Sequence, residues 1–341
     1  MKGVRRAVID IGTNSVKLLV AEVEGAEVRP VLEESRQTRL GQGFYKTHRL
    51  QAGPIARTAT AVAEFAARAR DHEAASIRVI ATSAARDAGN SEELTAAIGR
   101  TAGLRVDIIS GEQEADWVFQ GVTTDAGLAA MPLLLLEVGG GSTEFIVGQG
   151  ARKHFGQSFP LGTVRLLERF PPGDPPSAEE LAACRRWLGD FLEKEVEPGL
   201  GPALRQEAAT GQLRLVLPPE GGVPSVGVQE EAGAGQLRLV GAGGTASILG
   251  CMEAGLRTFD RERLEATRLS AERLTWHTER LWGLPLEERK QIAGLPKNRA
   301  DVILAGAAIY EAVMGRFHFD ELRVSTRGLR FAAVMSAPGV R

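Results

Sequence analysis

Cysteine is nearly absent: Cys184 and Cys251 are the only two in 341 residues. That excludes a disulfide framework and a four-cysteine zinc site. Five histidines are scattered without ligand spacing, so no nucleophilic Ser, His and Asp arrangement is in view. No apolar run approaches the roughly 20 residues of a membrane span, nor does the N-terminus carry the 7–15 apolar residues of a typical signal peptide. A soluble, cytoplasmic protein is expected. Net charge is also missing: 41 basic and 43 acidic side chains leave −2. That excludes a uniformly basic nucleic-acid or membrane-binding surface but leaves room for a local basic groove.

Glycine is what the chain has in surplus, 40 residues, about 12% against a usual 7%. Either tight turns are numerous or backbone is brought close to a ligand. The length favours two domains. Strand-like Val4–Ile9, Val16–Val23 and Val28–Leu32 are followed by a helix opened by Pro54, then by strand-like Ile77–Ala81 and Val106–Ile109 with a helix near 92–101 between them. The alternation is an α/β signature. Ser110-Gly111-Glu112-Gln113 reads as a capping box ahead of a buried stripe of Ala115, Val118, Phe119 and Val122.

After residue 122 the pattern restarts. Asp10-Ile11-Gly12-Thr13-Asn14-Ser15 recurs as Glu137-Val138-Gly139-Gly140-Gly141-Ser142, an acid, x, Gly, x, x, Ser pattern between two apolar strands each time. Such a repeat implies two domains of related topology facing one another. A third strand and Gly-rich turn follow at Leu237–Val240 and Gly241-Ala242-Gly243-Gly244-Thr245. The hexapeptide Gly-Gln-Leu-Arg-Leu-Val, present at 211–216 and again at 235–240, frames a Gly/Pro-rich insertion. Helices are expected near 270–283, 286–293 and 299–315, then a strand at Leu322–Ser325 and a closing helix from Gly328.

Gly-rich turns after buried strands present backbone N–H groups to anions. Neither a P-loop nor a well-placed Gly-x-Gly-x-x-Gly is present, so opposed hairpin turns are the expected phosphate site. Asp10, Glu137 and Glu144 stand at the turn mouths, where Mg²⁺ takes carboxylate, water and phosphate oxygens. The alternative for Asp10 is an Asx-turn residue, and Glu144 reads equally as a solvated strand residue. Glu137, after four leucines, needs a partner or a metal. Glu114, in the first turn of the helix capped by Ser110, suits a base acting on water. By spacing alone Glu112 does as well.

Over these residues the chain resembles the exopolyphosphatase/guanosine pentaphosphate phosphatase family, a branch of the superfamily of actin, heat-shock ATPases and sugar kinases. The resemblance is carried by Val8–Ser15, Ala81–Asn90 with Ala-Thr-Ser-Ala-Ala-Arg, Ile109–Ala115 with Ser-Gly-Glu-Gln-Glu-Ala, Gly139–Glu144, Gly243–Ala246, Arg299–Gly306 and Ser325–Arg330. These segments run in order over nearly the whole chain. The resemblance implies two actin-like (ribonuclease H-like) domains with an interdomain cleft: residues 1–122, and 123–319 with an insertion at about 211–236. The segment from about 320 to 341 is implied to pack back on the first domain.

It further implies Glu114, rather than Glu112, as the base. Phosphate contacts fall to Gly12, Asn14, Ser15, Arg86, Gly140, Gly141, Ser142, Gly244 and Thr245, and Mg²⁺ or another divalent cation to Asp10, Glu137 and Glu144. The implied activity is removal of terminal phosphate from polyphosphate. Alternatives are guanosine pentaphosphate hydrolysis, a weakly active sensor of guanosine tetraphosphate, and a sugar or acetate kinase, which Ser-Gly-x-x-Glu-Ala counts against. Arg86, Arg165, Lys297, Arg299 and Arg330 are candidates for a basic channel, and a homodimer is compatible with the family. Two departures stand out: Glu137 replaces the usual Asp, and Phe331-Ala332 stands where Glu-Gly is common. The length resembles the short family form, without a helical phosphohydrolase-like domain.

Overall fold

The computed structural model describes residues 3–209 and 237–336; the expected insertion and most of its duplicated hexapeptide lie outside them. Two mixed sheets organise the chain. In the first, β1 (Val4–Ile11), β2 (Ser15–Glu24), β3 (Glu27–Gln37), β4 (Ile77–Ala81) and β5 (Val106–Ile108) lie in the order β3-β2-β1-β4-β5. The second holds β6 (Leu133–Val138), β7 (Thr143–Gln149), β8 (Arg152–Phe159), β9 (Arg238–Ala242), β10 (Arg268–Ser270) and β11 (Glu321–Val324) in the order β10-β11-β9-β6-β7-β8. With β10 set aside as an added edge, the order and the parallel or antiparallel sense of every pairing repeat from one sheet to the other. The short sequence repeat is therefore the visible part of a duplicated topology.

Helices cover both faces of each sheet. On the outer face of the first lie α1 (Ala52–Asp71) and α2 (Ser91–Ala102). Pro54 falls in the first turn of α1, where no N–H is required of it. Between the sheets lies α3 (Gly111–Val122), whose Ala115, Val118, Phe119 and Val122 join Val8, Leu19 and Ile80 of one sheet to Leu133, Leu135 and Ile146 of the other. Next come α4 (Thr163–Arg169), α5 (Ala178–Phe191), α6 (Gly243–Glu253), α7 (Ala271–Gly283) and α8 (Ile303–Phe317). Leu134, Leu136, Phe145 and Val147 face the core they build on the outer side of the second sheet. The Leu133–Leu136 run is thus apolar throughout because both faces of β6 are covered.

The last segment divides. It was expected to return to the first domain from about residue 320, but β11 pairs in parallel with β9 inside the second sheet, with Leu322 and Val324 buried. Only α9 (Leu329–Met335) packs on α3, β1 and β2. Gly121 of α3 meets the Gly328 carbonyl so closely that a Cβ has no room. Phe331 and Ala332 are both buried in this layer, which accounts for the departure from Glu-Gly as packing. The helix expected near 286–293 is one turn, Leu286–Arg289, and α8 starts at Ile303 after a 3₁₀ turn at Lys297–Arg299. Gly294 at φ +82° and Pro296 interrupt the run. Among the described residues, no helix is long and apolar enough to cross a membrane.

Candidate active site

Strand alternation places the acids. Val8 and Leu133 and Leu135 point into the layer between the sheets, so Asp10 and Glu137, in phase with them, point the same way at the carboxyl ends of β1 and β6. Both hairpins close alike: the Gly12 N–H donates to the Ser15 carbonyl and that of Gly139 to the Ser142 carbonyl, each at 2.9 Å. These two glycines therefore shape the turns and have spent their N–H groups.

The remaining carbonyls are drawn outward. In the first turn the Thr13 oxygen accepts from Gly41 N–H at 2.8 Å, and the Asn14 oxygen from Thr38 and Arg39 N–H at 3.1 and 3.0 Å. In the second, the Gly139 oxygen accepts from Thr163 N–H at 2.9 Å and the Gly140 oxygen from Val164 N–H at 2.8 Å. A peptide whose oxygen is held out turns its N–H in. Inside, Asn14 Nδ2 and Ser15 Oγ are buried polar atoms without a partner. Buried donors of this kind are rare unless a ligand uses them. They line a cavity of about 80 Å³ together with Gly140, Gly141, Ser142, Glu114, Glu144, Gly244 and Arg299.

Glu114 comes from α3, whose start is fixed twice. Ser110 Oγ accepts from Gln113 N–H at 3.1 Å, one half of the expected capping box. A Cβ at Gly111 would lie 2.7 Å from Ser158 Cβ, so glycine lets the helix end close on β8. Glu112 is exposed, whereas Glu114 is 7% exposed and lines the cavity. Its Oε2 accepts from Arg86 Nη1 at 2.8 Å. Burial, then the neighbouring Glu144 carboxylate, hold the Glu114 pKa well above the ordinary range, against the pull of Arg86. Glu144 is 1% exposed and accepts from Ser158 Oγ at 2.7 Å. Burial and the Glu137 carboxylate push it up to about 7.

Of the three acids assigned to a metal, Glu144 accepts from Ser158 Oγ and its charge is felt beside both Glu137 and Glu114, and among the described residues no group of three acidic, His or Cys side chains is set to hold a metal ion. Asp10 Oδ1 and Glu137 Oε2 are buried without partners and line the same cavity. Burial raises both pKa values, and Lys17 pulls each back. Two hard oxygens beside inward-turned backbone N–H groups fit Mg²⁺, which fills its shell with one or two carboxylates, water and phosphate. The longer Glu137 finds space over bare backbone: a Cβ at Gly243, φ +78°, would stand 2.7 Å from Glu137 Oε1.

Gly244 borders both this cavity and an adjoining one of about 870 Å³. Thr245 commits its hydroxyl proton to the Val138 carbonyl at 2.7 Å, tying the third turn to the second. Arg299 lines both cavities, its pKa brought down to about 10 by burial. Lys297 lines only the larger one. Arg330 is occupied by the Leu18 carbonyl and Glu33, and Arg165 lies outside both linings. Sequence reading missed Lys17 and Ser158. The hairpin register reveals each, since Lys17 pairs with Asp10 across β1–β2 and Ser158 with Glu144 across β7–β8.

Comparison with known proteins bears on the family and the fold. Residues 19–212 and 224–337 match the sequence model of the Ppx/GppA phosphatase family. Exopolyphosphatase 2 of Mycobacterium tuberculosis is 32% identical, covering 98% of this chain and 99% of the relative. Exopolyphosphatase 1 of the same species is 28% identical over 97% of this chain and 87% of its own. The Aquifex aeolicus PPX-GPPA enzyme superposes with a TM-score of 0.72 at 29% identity, over 98% of this chain and 99% of that one.

Proposed function

The chain belongs to the Ppx/GppA phosphatase family, and from that premise we propose that it is a hydrolase removing terminal phosphate from inorganic polyphosphate. The observation that carries this reading is the buried Glu114 carboxylate sharing a cavity with two Gly turns, the first of which brings the unpaired donors Asn14 Nδ2 and Ser15 Oγ. We place the division between the halves near residue 122, with α9 belonging to the first half and β11 to the second.

In the reaction, N–H groups of Gly140, Gly141 and Ser142, with Asn14 and Ser15, hold the non-bridging oxygens of the terminal phosphate. Glu114 takes a proton from water as the water oxygen bonds to the terminal phosphorus. The bridging P–O bond breaks, and orthophosphate and a chain one phosphate shorter depart. Arg86 keeps the Glu114 carboxylate aimed while it is ionised. Asp10 and Glu137 are the residues that would hold Mg²⁺, which when bound neutralises phosphate charge. Lys17 and Arg299 add fixed positive charge on the side of the larger cavity.

Guanosine pentaphosphate is the second substrate to be weighed, because the 870 Å³ cavity beside the third turn includes apolar side chains such as Leu256, Phe259 and Ile292. Phosphate release measured side by side on polyphosphate, guanosine pentaphosphate and ATP, with and without Mg²⁺, tests the reading. Polyphosphate is expected to be the fastest substrate and Glu114→Gln to abolish release. A Glu114→Gln protein as active as the parent refutes it.

A further inference from the structure

Arg165, in the first turn of α4, makes three contacts that the reaction outlined above does not use. Its Nε donates to the Gly141 carbonyl at 2.8 Å, its Nη2 to Asp87 Oδ2 at 3.1 Å, and its guanidinium lies 4.2 Å over the Tyr45 ring. Gly141 belongs to the second Gly turn, whereas Asp87 and Tyr45 belong to the half built on the first sheet. One side chain therefore joins a phosphate turn to the opposite side of the cleft.

The duplicated hairpins show what the first contact does. Gly141 of the second turn corresponds to Asn14 of the first, and the Asn14 carbonyl is held outward by the Thr38 and Arg39 N–H groups. No backbone donor reaches the Gly141 carbonyl among the described residues; the guanidinium of Arg165 takes that place. The rest of the brace is backbone: Thr163, Val164 and Arg165 N–H groups reach the Gly139 and Gly140 carbonyls. Gly162 allows this approach, since a Cβ there would lie 2.5 Å from the Gly140–Gly141 backbone.

We infer that Arg165 is a positioning residue for the phosphate site: by holding the Gly141 carbonyl outward it turns the Ser142 N–H into the cleft, and Asp87 and Tyr45 fix it in that pose when the two halves are together. The inference rests on the reading of this cleft as a phosphate site. A free guanidinium swings with four rotatable bonds; one clamped by a carboxylate and a ring does not. Anion binding by the second turn is thereby linked to closure of the cleft.

The test uses Arg165→Met, Arg165→Lys, Asp87→Ala and the Arg165→Met/Asp87→Ala pair, assayed on polyphosphate. Arg165→Met is expected to lower kcat by about 10- to 100-fold and to raise KM by about tenfold, because the misplaced donor holds phosphate in both the ground and the transition state. Lysine should not restore kcat, because an ammonium cannot reach the carbonyl and Asp87 as a fork. Asp87→Ala should cost about tenfold alone and nearly nothing on top of Arg165→Met, the signature of one shared interaction. If Arg165→Met does not fold, Asp87→Ala, which retains the arginine, carries the same kcat expectation.

Independently of hydrolysis, calorimetric binding of tripolyphosphate to Glu114→Gln protein should weaken about tenfold when Arg165→Met is added. A raised KM at unchanged kcat, full activity in the lysine variant, independent effects of the two substitutions, or unchanged tripolyphosphate binding would each overturn the inference. A parent protein that releases no phosphate from polyphosphate refutes the proposed function instead, and the tripolyphosphate titration still decides the role of Arg165.

Discussion

Glu137 and Glu144 stand directly opposite one another across the β6–β7 ladder, at the register where the first sheet pairs Asp10 with Lys17. Opposite charge at that position stabilises an antiparallel pair, and like charge destabilises it. The two halves of the duplication have thus diverged in charge: one carries an acid–base pair, the other two acids facing a third, Glu114. The second half thereby stores unfavourable electrostatics next to the second Gly turn, where an incoming cation and the proposed reaction can use them.

That arrangement makes stability fall as pH rises. Glu144 has a pKa of about 7 in the folded protein, against roughly 4.3 in an unfolded chain. The folded state then holds more protons between those values, so its stability declines from about pH 4.5 through about pH 7 and levels off above. Glu144→Gln keeps an acceptor for Ser158 and removes the charge. It is expected to match the parent near pH 4.5 and to exceed it at pH 8 by on the order of 2 kcal/mol, read from urea unfolding at the two pH values in metal-free buffer.

The same pair sets the acid limb of activity. Glu114 must be ionised to accept a proton from water, and its pKa is raised first by burial and then by the charge of Glu144. Phosphate release should therefore decline on the acid side at a pH well above the ordinary carboxylate range, with the two carboxyls titrating together. In Glu144→Gln the second of those causes is gone, so the acid limb should move to lower pH. A limb that stays in place, measured by kcat on polyphosphate between pH 5 and 9, would assign it to another group.

Much of this site was legible in the sequence because its signals are local. The repeated acid-x-Gly-x-x-Ser pattern marks both hairpins, and the four leucines ahead of Glu137 set it near the interior. The choice of Glu114 over Glu112 came from family resemblance, and burial agrees with it. Other features were not local. That Glu144 bonds Ser158 and raises the Glu114 pKa depends on how β8 and α3 pack. That β11 enters the second sheet while α9 crosses to the first depends on a close approach between Gly121 and Gly328, which lie far apart in the chain.

Divalent cation binding should be measurable without substrate. Asp10 Oδ1 and Glu137 Oε2 are buried and unpaired, so a cation held by them relieves the cost of their burial and stabilises only the folded state. Millimolar Mg²⁺ is expected to raise the Tm of the parent, and by less than half as much in Asp10→Asn and Glu137→Gln. Glu144→Gln, whose carboxylate lies with Glu114 and Ser158, should keep most of the Mg²⁺ effect. Equal loss in all three variants would instead place Glu144 among the metal-facing residues.

The glycine surplus divides into positions that need glycine and positions that do not, and substitution should separate them. Gly99 lies exposed in α2, and a Cβ there meets nothing within 4 Å. Gly99→Ala should stabilise by about 0.5–1 kcal/mol through helix propensity alone and leave phosphate release unchanged. At Gly162 a Cβ would lie 2.5 Å from backbone atoms of Gly140 and Gly141, which no rotamer change relieves. Gly162→Ala must move the second turn or the start of α4, at a cost of about 1–3 kcal/mol. Because the displaced atoms include the Gly141 N–H, which the proposed reaction sets against phosphate, the loss of kcat should exceed tenfold even where the protein is fully folded. Paired unfolding and phosphate-release measurements on the two variants check this, and a fully active Gly162→Ala would mean that the second turn tolerates displacement.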